Sequence, residues 1–418
     1  MILAANIDDE ALMHSESVNS SPGAGVADAS DAPIGEIDPS GLRRARWGVM
    51  LFFLLAGWIF APWAVRIPDI KRYIGADDGI FGLVLLGMAG GSIVAMSSAG
   101  WLSSIIGSKR LALVGGLGVC VLAVTLGLAP SPMTLFVALA LFGAFYGLMD
   151  VAMNTQAVVV EKMYQRPIMS SFHGGFSFAT LTGALLGALL VQHLSTVMHL
   201  LLTGLVLIAV ALVAYRWLAP VPEPASEGGP VFVLPTGPLL PLGVIALAVF
   251  LAEGAVADWS AIYLREHLGT TAVLGALGYT MFAVTMTIGR FTGDWVVTQI
   301  GPERVVRWGG VLVVAGLGGA LVFPSVPTML LGFACVGLGL AAGFPVAITA
   351  AGQTGGAAST AAVAAVVTAG YAGFIIGPAV IGQVSSFFGL RSGLLVVVAM
   401  GLLMILLAKS VAPRRASA

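Results

Sequence analysis

A segment holding Gly100, Trp101, Gly107, Lys109 and Arg110 returns, altered, 194 positions further along the chain. At that one offset Trp101 falls on Trp295, Gly107 on Gly301, Arg110 on Arg304, and Gly115 and Gly116 on Gly309 and Gly310. Pro130 and Ser131 then fall on Pro324 and Ser325. A register kept over about thirty residues marks a chain built by doubling one structural unit. That unit is a membrane unit, because 58% of the residues are hydrophobic and only 9% are charged, whereas a soluble domain is about one quarter charged. The 55 glycines fit the same reading, since small residues let membrane helices approach closely.

Apolar windows long enough to cross about 30 Å of hydrocarbon lie near 47–66, 79–101, 110–129, 133–159, 168–191 and 196–217. Six more lie near 239–263, 273–297, 307–323, 328–350, 358–383 and 392–410. The expected fold is therefore all-α, with twelve transmembrane helices in two pseudo-symmetric six-helix halves. Doubled membrane units with a site between them are the plan of secondary transporters. The expected organisation is a tail over 1–42, one bundle over 43–217, a linker over 218–238, a second bundle over 239–412 and a short tail over 413–418.

Charge is distributed unevenly along that plan. Residues 1–42 carry eight acids and no Lys or Arg, leaving all 19 basic residues and 12 acids to the remainder. With few apolar side chains to offset ordering entropy, this head reads as a disordered cytoplasmic tail. It lacks the basic and apolar regions of a signal peptide. Counting Lys and Arg between the spans puts thirteen on the side of the termini and five opposite, with Arg290 inside a span. Both termini are then cytoplasmic, although the turn near 351–357 has no basic residue. The expected location is a bacterial inner membrane.

Twelve spans as six plus six, with a Gly/basic turn between spans two and three repeated between eight and nine, resemble the major facilitator superfamily over about residues 43–412. The family's turn motif runs Gly-x-x-x-Asp-Arg-x-Gly-Arg-Lys; Gly100, Gly107 and Lys109 keep it, while Ser104 and Ile105 replace its Asp and Arg. The second copy, from Gly289 and Arg290 through Asp294 to Arg304, keeps more charge. Three further segments, Met149 to Gln156, Ser170 to Phe176 and Glu253 to Ser260, resemble the bacterial subgroup containing YbjJ-type inner-membrane proteins and MosC-type proteins linked to rhizopine metabolism. That subgroup is itself similar to fucose-permease-like sugar/proton symporters. The resemblance implies alternating access around a central site.

Charges inside spans are costly and usually functional. Asp150 lies within span four, where Tyr146, Asp150, Asn154 and Glu161 recur on roughly one helical face. Such a stripe suits a carboxylate that carries a proton and meets substrate hydroxyls; a brace between helices is the alternative. Glu253 lies in the middle of span seven, whose counterpart lines the cavity in the resembled family, and is the second proton-coupling candidate. Asp258 is five residues on, about 140° around the helix, so the two acids form no single constellation. Asp258 is expected nearer the outer interface, where the resemblance allows a gate pair with Arg66. Arg290 and Asp294 have the spacing of a pair along one face and are read as gating or structural, with Gly100, Gly107, Lys109 and Arg304. His173 begins a polar row with Ser177 and Thr180.

Trp58 or Trp63 has the apolar ring needed to stack on a sugar, or else faces lipid; Gln353, one turn beyond Thr349, is a polar contact. Gly343, Pro345 and Pro378 mark places where a span loosens or bends. Cys120 and Cys335 lie inside spans and imply no disulfide. The histidines lack ligand spacing, so no metal is expected, nor any cofactor or nucleic acid. No phosphate-binding loop of an ATP-driven pump is present.

The leading expectation is a secondary active transporter, monomeric in the bilayer, that moves a small polar solute together with protons. The resemblance and the neutral hydrogen-bonding groups point to a sugar or an inositol-like polyol. Drug or metabolite efflux by proton antiport stays open, as does a non-transporting sensor on a transporter scaffold. No paired acids or nucleophile with its base stand at the spacing an enzyme needs.

Overall fold

A computed structural model describes residues 39–165, 168–219, 234–355 and 359–412, all helix and short connections with no strand among them. Most of the expected N-terminal tail, the core of the linker and the final six residues lie outside this described set. Twelve helices cross: α1 (Ser40–Tyr73), α2 (Asp78–Ile106), α3 (Ser108–Leu128), α4 (Pro132–Tyr164), α5 (Ser171–Leu190), α6 (Thr196–Trp217), α7 (Gly237–His267), α8 (Ala272–Ile300), α9 (Pro302–Val322), α10 (Val326–Thr354), α11 (Ala361–Phe388) and α12 (Leu390–Val411). Several run well past their apolar windows. Hydropathy reports the hydrocarbon crossing, whereas the backbone stays helical until a cap or a glycine stops it.

The doubling is visible in the stops themselves. Gly107 and Gly301 end α2 and α8 with φ 83° and 84°, a conformation that a side chain makes costly. Ser131 with Thr134, and Ser325 with Thr328, form reciprocal capping boxes that start α4 and α10. Asp77 and Thr271 cap α2 and α8, and Gly75 and Gly269 precede them at φ 64° each. The repeat offset thus fixes backbone geometry at three turns in each half.

Packing repeats in the same way. Within the first half α1 packs on α5, α2 on α4 and α3 on α6; in the second, α7 packs on α11, α8 on α10 and α9 on α12. The halves meet through α2 on α11 and α5 on α8, contacts that the doubling exchanges. The most apolar windows of α1 and α7 are 72% and 67% buried, against 33% in α6 and α12. The former are the inner walls and the latter face lipid. Trp101 and Trp295, twins in the repeat, are both exposed at the rim.

Three departures from regular helix shape the interior. α7 ends in a widened π-type turn over Tyr263–His267, and α9 contains another over Val314–Gly318. α10 breaks at Ala341 and Ala342, just before Gly343, Phe344 and Pro345. Proline there cannot donate the ladder bond that a continuous helix needs.

Replacing Gly107 or Gly301 with valine is expected to cost on the order of 1–3 kcal/mol each. Gly90, which faces open space, provides the control. Equal melting temperatures for all three variants in detergent would contradict the assigned role of the turns.

Candidate functional site

Half-way along α4, Asp150 accepts a hydrogen bond from Asn154 Nδ2 at 3.3 Å, the same amide reaching its carbonyl at 2.9 Å. The phenols of Tyr146 and Tyr371 lie within electrostatic range of that carboxylate. Tyr146 belongs to α4, and its hydroxyl points to the Ala56 carbonyl of α1 at 3.4 Å. Tyr371 comes from α11 and is 40% exposed. Asp150 thus has phenols of both halves within electrostatic range and, among the described residues, one amide as its side-chain hydrogen-bond partner.

In the second half, Arg290 Nη2 of α8 lies 3.3 Å from both carboxylate oxygens of Glu253 on α7. Its Nη1 approaches Ser177 Oγ of α5 at 3.4 Å. One guanidinium thus ties two helices of its own half to a helix of the other. The expected Arg290–Asp294 pair is not formed. Asp294 is exposed, while half-buried Glu253 in an apolar helix has the greater need of a countercharge. Tyr279 of α8 lies within electrostatic range of Glu253, Arg290 and Asp258 and packs edge-on against Phe60 of α1 at 6.4 Å. Phe250 stacks on Phe344 and Phe374 at centroid distances of 4.4 and 4.8 Å, giving this half an aromatic wall.

The remaining sequence candidates divide. Trp58 donates Nε1–H to Thr182 Oγ1 at 2.8 Å, joining α1 to α5, and Trp63 is fully buried, so it neither stacks on a solute nor meets lipid here. His173 is exposed and stands edge-on to Phe53 at 5.1 Å; Gln353 is exposed on the last turn of α10. Glu161 leaves the α4 stripe altogether: its Oε2 accepts from Ile168 N and Met169 N at 2.7 and 2.6 Å, capping the start of α5. Lys109 donates to the Leu218 carbonyl at 2.6 Å and lies over the Tyr215 ring. The glycine turn between Gly100 and Lys109 is thereby fastened to the end of α6, whereas Glu303, the counterpart of Lys109 in the second copy, pairs with Arg307 at 2.7 Å and Arg304 is exposed.

At the end of the bundle opposite the termini, the halves are bolted together. Lys71 Nζ of α1 bonds Glu266 of the α7 widened turn at 2.6 Å and Asp78 of α2 at 2.8 Å. Arg265, the repeat twin of Lys71, pairs with Asp69 of α1. Two related cations thus cross the same boundary in opposite directions. The wide turn lets consecutive residues 265 and 266 both reach the other half. Beside them Gly82 of α2 and Gly382 of α11 meet with no side chain between; a Cβ on Gly382 would stand 2.8 Å from Gly82 Cα.

Arg66 does not pair with Asp258. It is 3% exposed and donates to Asp69 Oδ2 at 3.2 Å, His199 Nδ1 at 3.2 Å, and the Val191 and Leu194 carbonyls at 3.1 and 2.6 Å. A carboxylate one turn away and two free helix-end carbonyls satisfy it locally. Asp258 has no hydrogen-bond or ion-pair partner among the described residues. Sequence reasoning missed the bolt, Tyr279 and Tyr371. The match of Lys71 to Arg265 at the repeat offset was the one available signal.

The model of the Major Facilitator Superfamily matches residues 47–257 and 242–418. The chain belongs to this superfamily. It is 37% identical over 342 residues to an uncharacterized MFS-type transporter of Yersinia pestis, covering 81% of this chain and 88% of the relative. It is 33% identical over 377 residues to the membrane protein MosC of Rhizobium meliloti, covering 89% and 91%. Among solved structures, nucleoside transporter NupG superposes with a TM-score of 0.66 at 14% identity, over 90% of this chain and 98% of the other. A bacterial homolog of the human lysosomal transporter Spinster gives 0.70 at 13%, over 90% and 98%. At these identities the structures establish the fold alone. As a superfamily member the protein is a multi-pass membrane carrier and a secondary transporter, not an enzyme.

The bolt can be tested without disturbing either half. Arg265→Gln with Glu266→Gln removes both crossing pairs and leaves Arg66–Asp69 and Lys71–Asp78 intact, a loss on the order of 1.5–3 kcal/mol per pair. A cysteine at Ile67, fully buried here, is expected to gain reactivity toward an impermeant maleimide in that background, with Cys120 and Cys335 replaced. Unchanged labelling would show that the pairs do not hold this end shut. His199→Phe, which deprives Arg66 of an acceptor, is expected to lower the melting temperature more than His193→Phe at an exposed histidine.

Proposed function

We propose that this superfamily member couples proton movement to transport of a small polar solute of the sugar or polyol kind. The observation that carries the reading is Asp150, a mid-span carboxylate held by one amide, with phenols of both halves within electrostatic range. A proton taken up there neutralises the charge without breaking an ion pair. Glu253 is the second proton-coupling member, and its state is linked to Arg290. When Glu253 is protonated the guanidinium loses its countercharge and its hold weakens, freeing the α5–α8 boundary to move. The hydroxyls of Tyr146, Tyr279 and Tyr371, with Asn154, supply neutral hydrogen-bond partners. The Phe250, Phe344 and Phe374 wall offers a face for the apolar side of a ring. Trp58, His173 and Gln353 are the further substrate contacts of this reading.

The similarity to MosC supports placing the chain near MosC-type proteins; the further step to fucose-permease-like symporters rests on the sequence resemblance alone. The Lys and Arg distribution supports an inner-membrane orientation with both termini cytoplasmic. The bolted end then faces outward, and the protein works as a monomer whose halves rock about the site.

Two measurements test this. A thermal-shift panel of sugars, inositols, amino acids and lipophilic cations at pH 5.5 and 8 should show stabilisation by a sugar or polyol, because a ligand of the folded state raises stability by mass action. Stabilisation by lipophilic cations alone would turn the reading to efflux. With the solute in hand, Asp150→Asn and Glu253→Gln in proteoliposomes should each cut pH-driven flux by about tenfold or more, at least ~1.4 kcal/mol in barrier, while exchange at equal pH persists. Flux that stays pH-driven in both variants would refute the proton assignment.

A further inference from the structure

A groove of about 460 Å³ opens where α1 begins and α6 ends, lined by Ser40, Arg43, Arg44, Trp47 and Trp217. A second, of about 350 Å³, adjoins it, shares Arg43 and Trp47, and extends to Arg46 and Tyr164. Among the described residues neither is lined by a carboxylate. The neighbouring cations are already engaged: Arg46 lies over the Tyr164 ring at 5.6 Å, and Lys109 is bound to the Leu218 carbonyl. Arg43 and Arg44 are exposed and have no ion pair among the described residues.

Depth in the bilayer follows from helix length. The 34 residues of α1 at about 1.5 Å each extend about 51 Å, against about 30 Å of hydrocarbon and 40–45 Å with headgroups. Centred on the bilayer, α1 leaves about 10 Å beyond the hydrocarbon at each end. Trp47, the eighth residue of α1, then sits at the hydrocarbon boundary. Arg43 and Arg44 lie one turn further out, at phosphate level. Trp217, 39% exposed, is at the last residue of α6 and closes the groove from the other side.

We propose that this groove binds the headgroup phosphate of an anionic phospholipid. Arg43 and Arg44 take the phosphate, Trp47 and Trp217 flank the glycerol region, and the acyl chains run down the seam between α1 and α6. Guanidinium groups suit a phosphate because their donors match its oxygens in pairs, and indole rings favour this depth. The bound lipid would clamp the start of an inner helix to the end of an outer one. The site is separate from the central one and does not rest on the transport reading.

The test is native mass spectrometry of the full chain released from nanodiscs of equal phosphatidylglycerol and phosphatidylcholine. The wild type is expected to retain phosphatidylglycerol preferentially, and Arg43→Gln with Arg44→Gln to lose about tenfold of that preference, at the binding strength expected of two surface cations. Arg304→Gln, at another exposed cation, should keep it. Equal retention of the two lipids, or loss of preference in the Arg304 variant as well, would overturn the site. So would displacement of the lipid by millimolar inorganic phosphate, which would mark a free-anion site. A preference that emerges only after the acids of residues 1–42 are neutralised would make the groove the seat of that segment instead. If the double variant does not fold, crosslinking of a photoreactive phosphatidylglycerol to the wild type decides: adducts on α1 and α6 support the proposal, and adducts elsewhere overturn it.

Discussion

Crossed ion pairs at one end of the bundle set the state in which this protein is seen. Lys71 reaches from the first half to Glu266, and Arg265 reaches from the second half to Asp69. Both pairs are anchored in the first half: Lys71 also bonds Asp78, and Asp69 is also held by Arg66. The charges are mostly buried, and a buried charge without a partner is expensive. Closing this end and pairing these residues are therefore one event. Everything nearer the termini, including the Asp150 and Glu253 clusters, is organised beneath that closed end.

The repeat made much of the fold legible before any coordinates. A register shared by Trp101 and Trp295 or by Pro130 and Pro324 reports that two stretches have the same environment. Accordingly the turn glycines, the capping boxes and the exposed rim tryptophans recur in matched geometry. Helix boundaries were less legible, because hydropathy falls off at the hydrocarbon edge while the backbone continues into the headgroups. The membrane candidates Asp150 and Glu253 stood out for one reason: a carboxylate in an apolar run needs an explanation.

Partner choice was the part that sequence spacing does not encode. Arg290 has an acid four residues away on its own helix, yet binds Glu253, 37 positions earlier. Arg66 and His199 are 133 positions apart. Local spacing lists who is available along one helix. Packing then decides which available group is buried deeply enough to need the charge. Tyr279 and Tyr371 escaped notice for the same reason, since an isolated tyrosine in an apolar span carries no signal until a neighbouring helix brings it to a carboxylate.

The Gly82–Gly382 contact has a mechanical consequence. Helices that interlock through large side chains must disengage knob by knob before they part, and each step costs packing. Here α2 and α11 touch backbone to backbone at Gly82 and Gly382, a smooth bearing with one light latch beside it, the Gln383 amide donating to the Gly79 carbonyl at 3.2 Å. Resistance to separation at this end is then concentrated in a few charges rather than spread over a steric surface. A joint of that kind responds to electrostatics, to ionic strength and local acidity, far more than to the volume of the residues that line it.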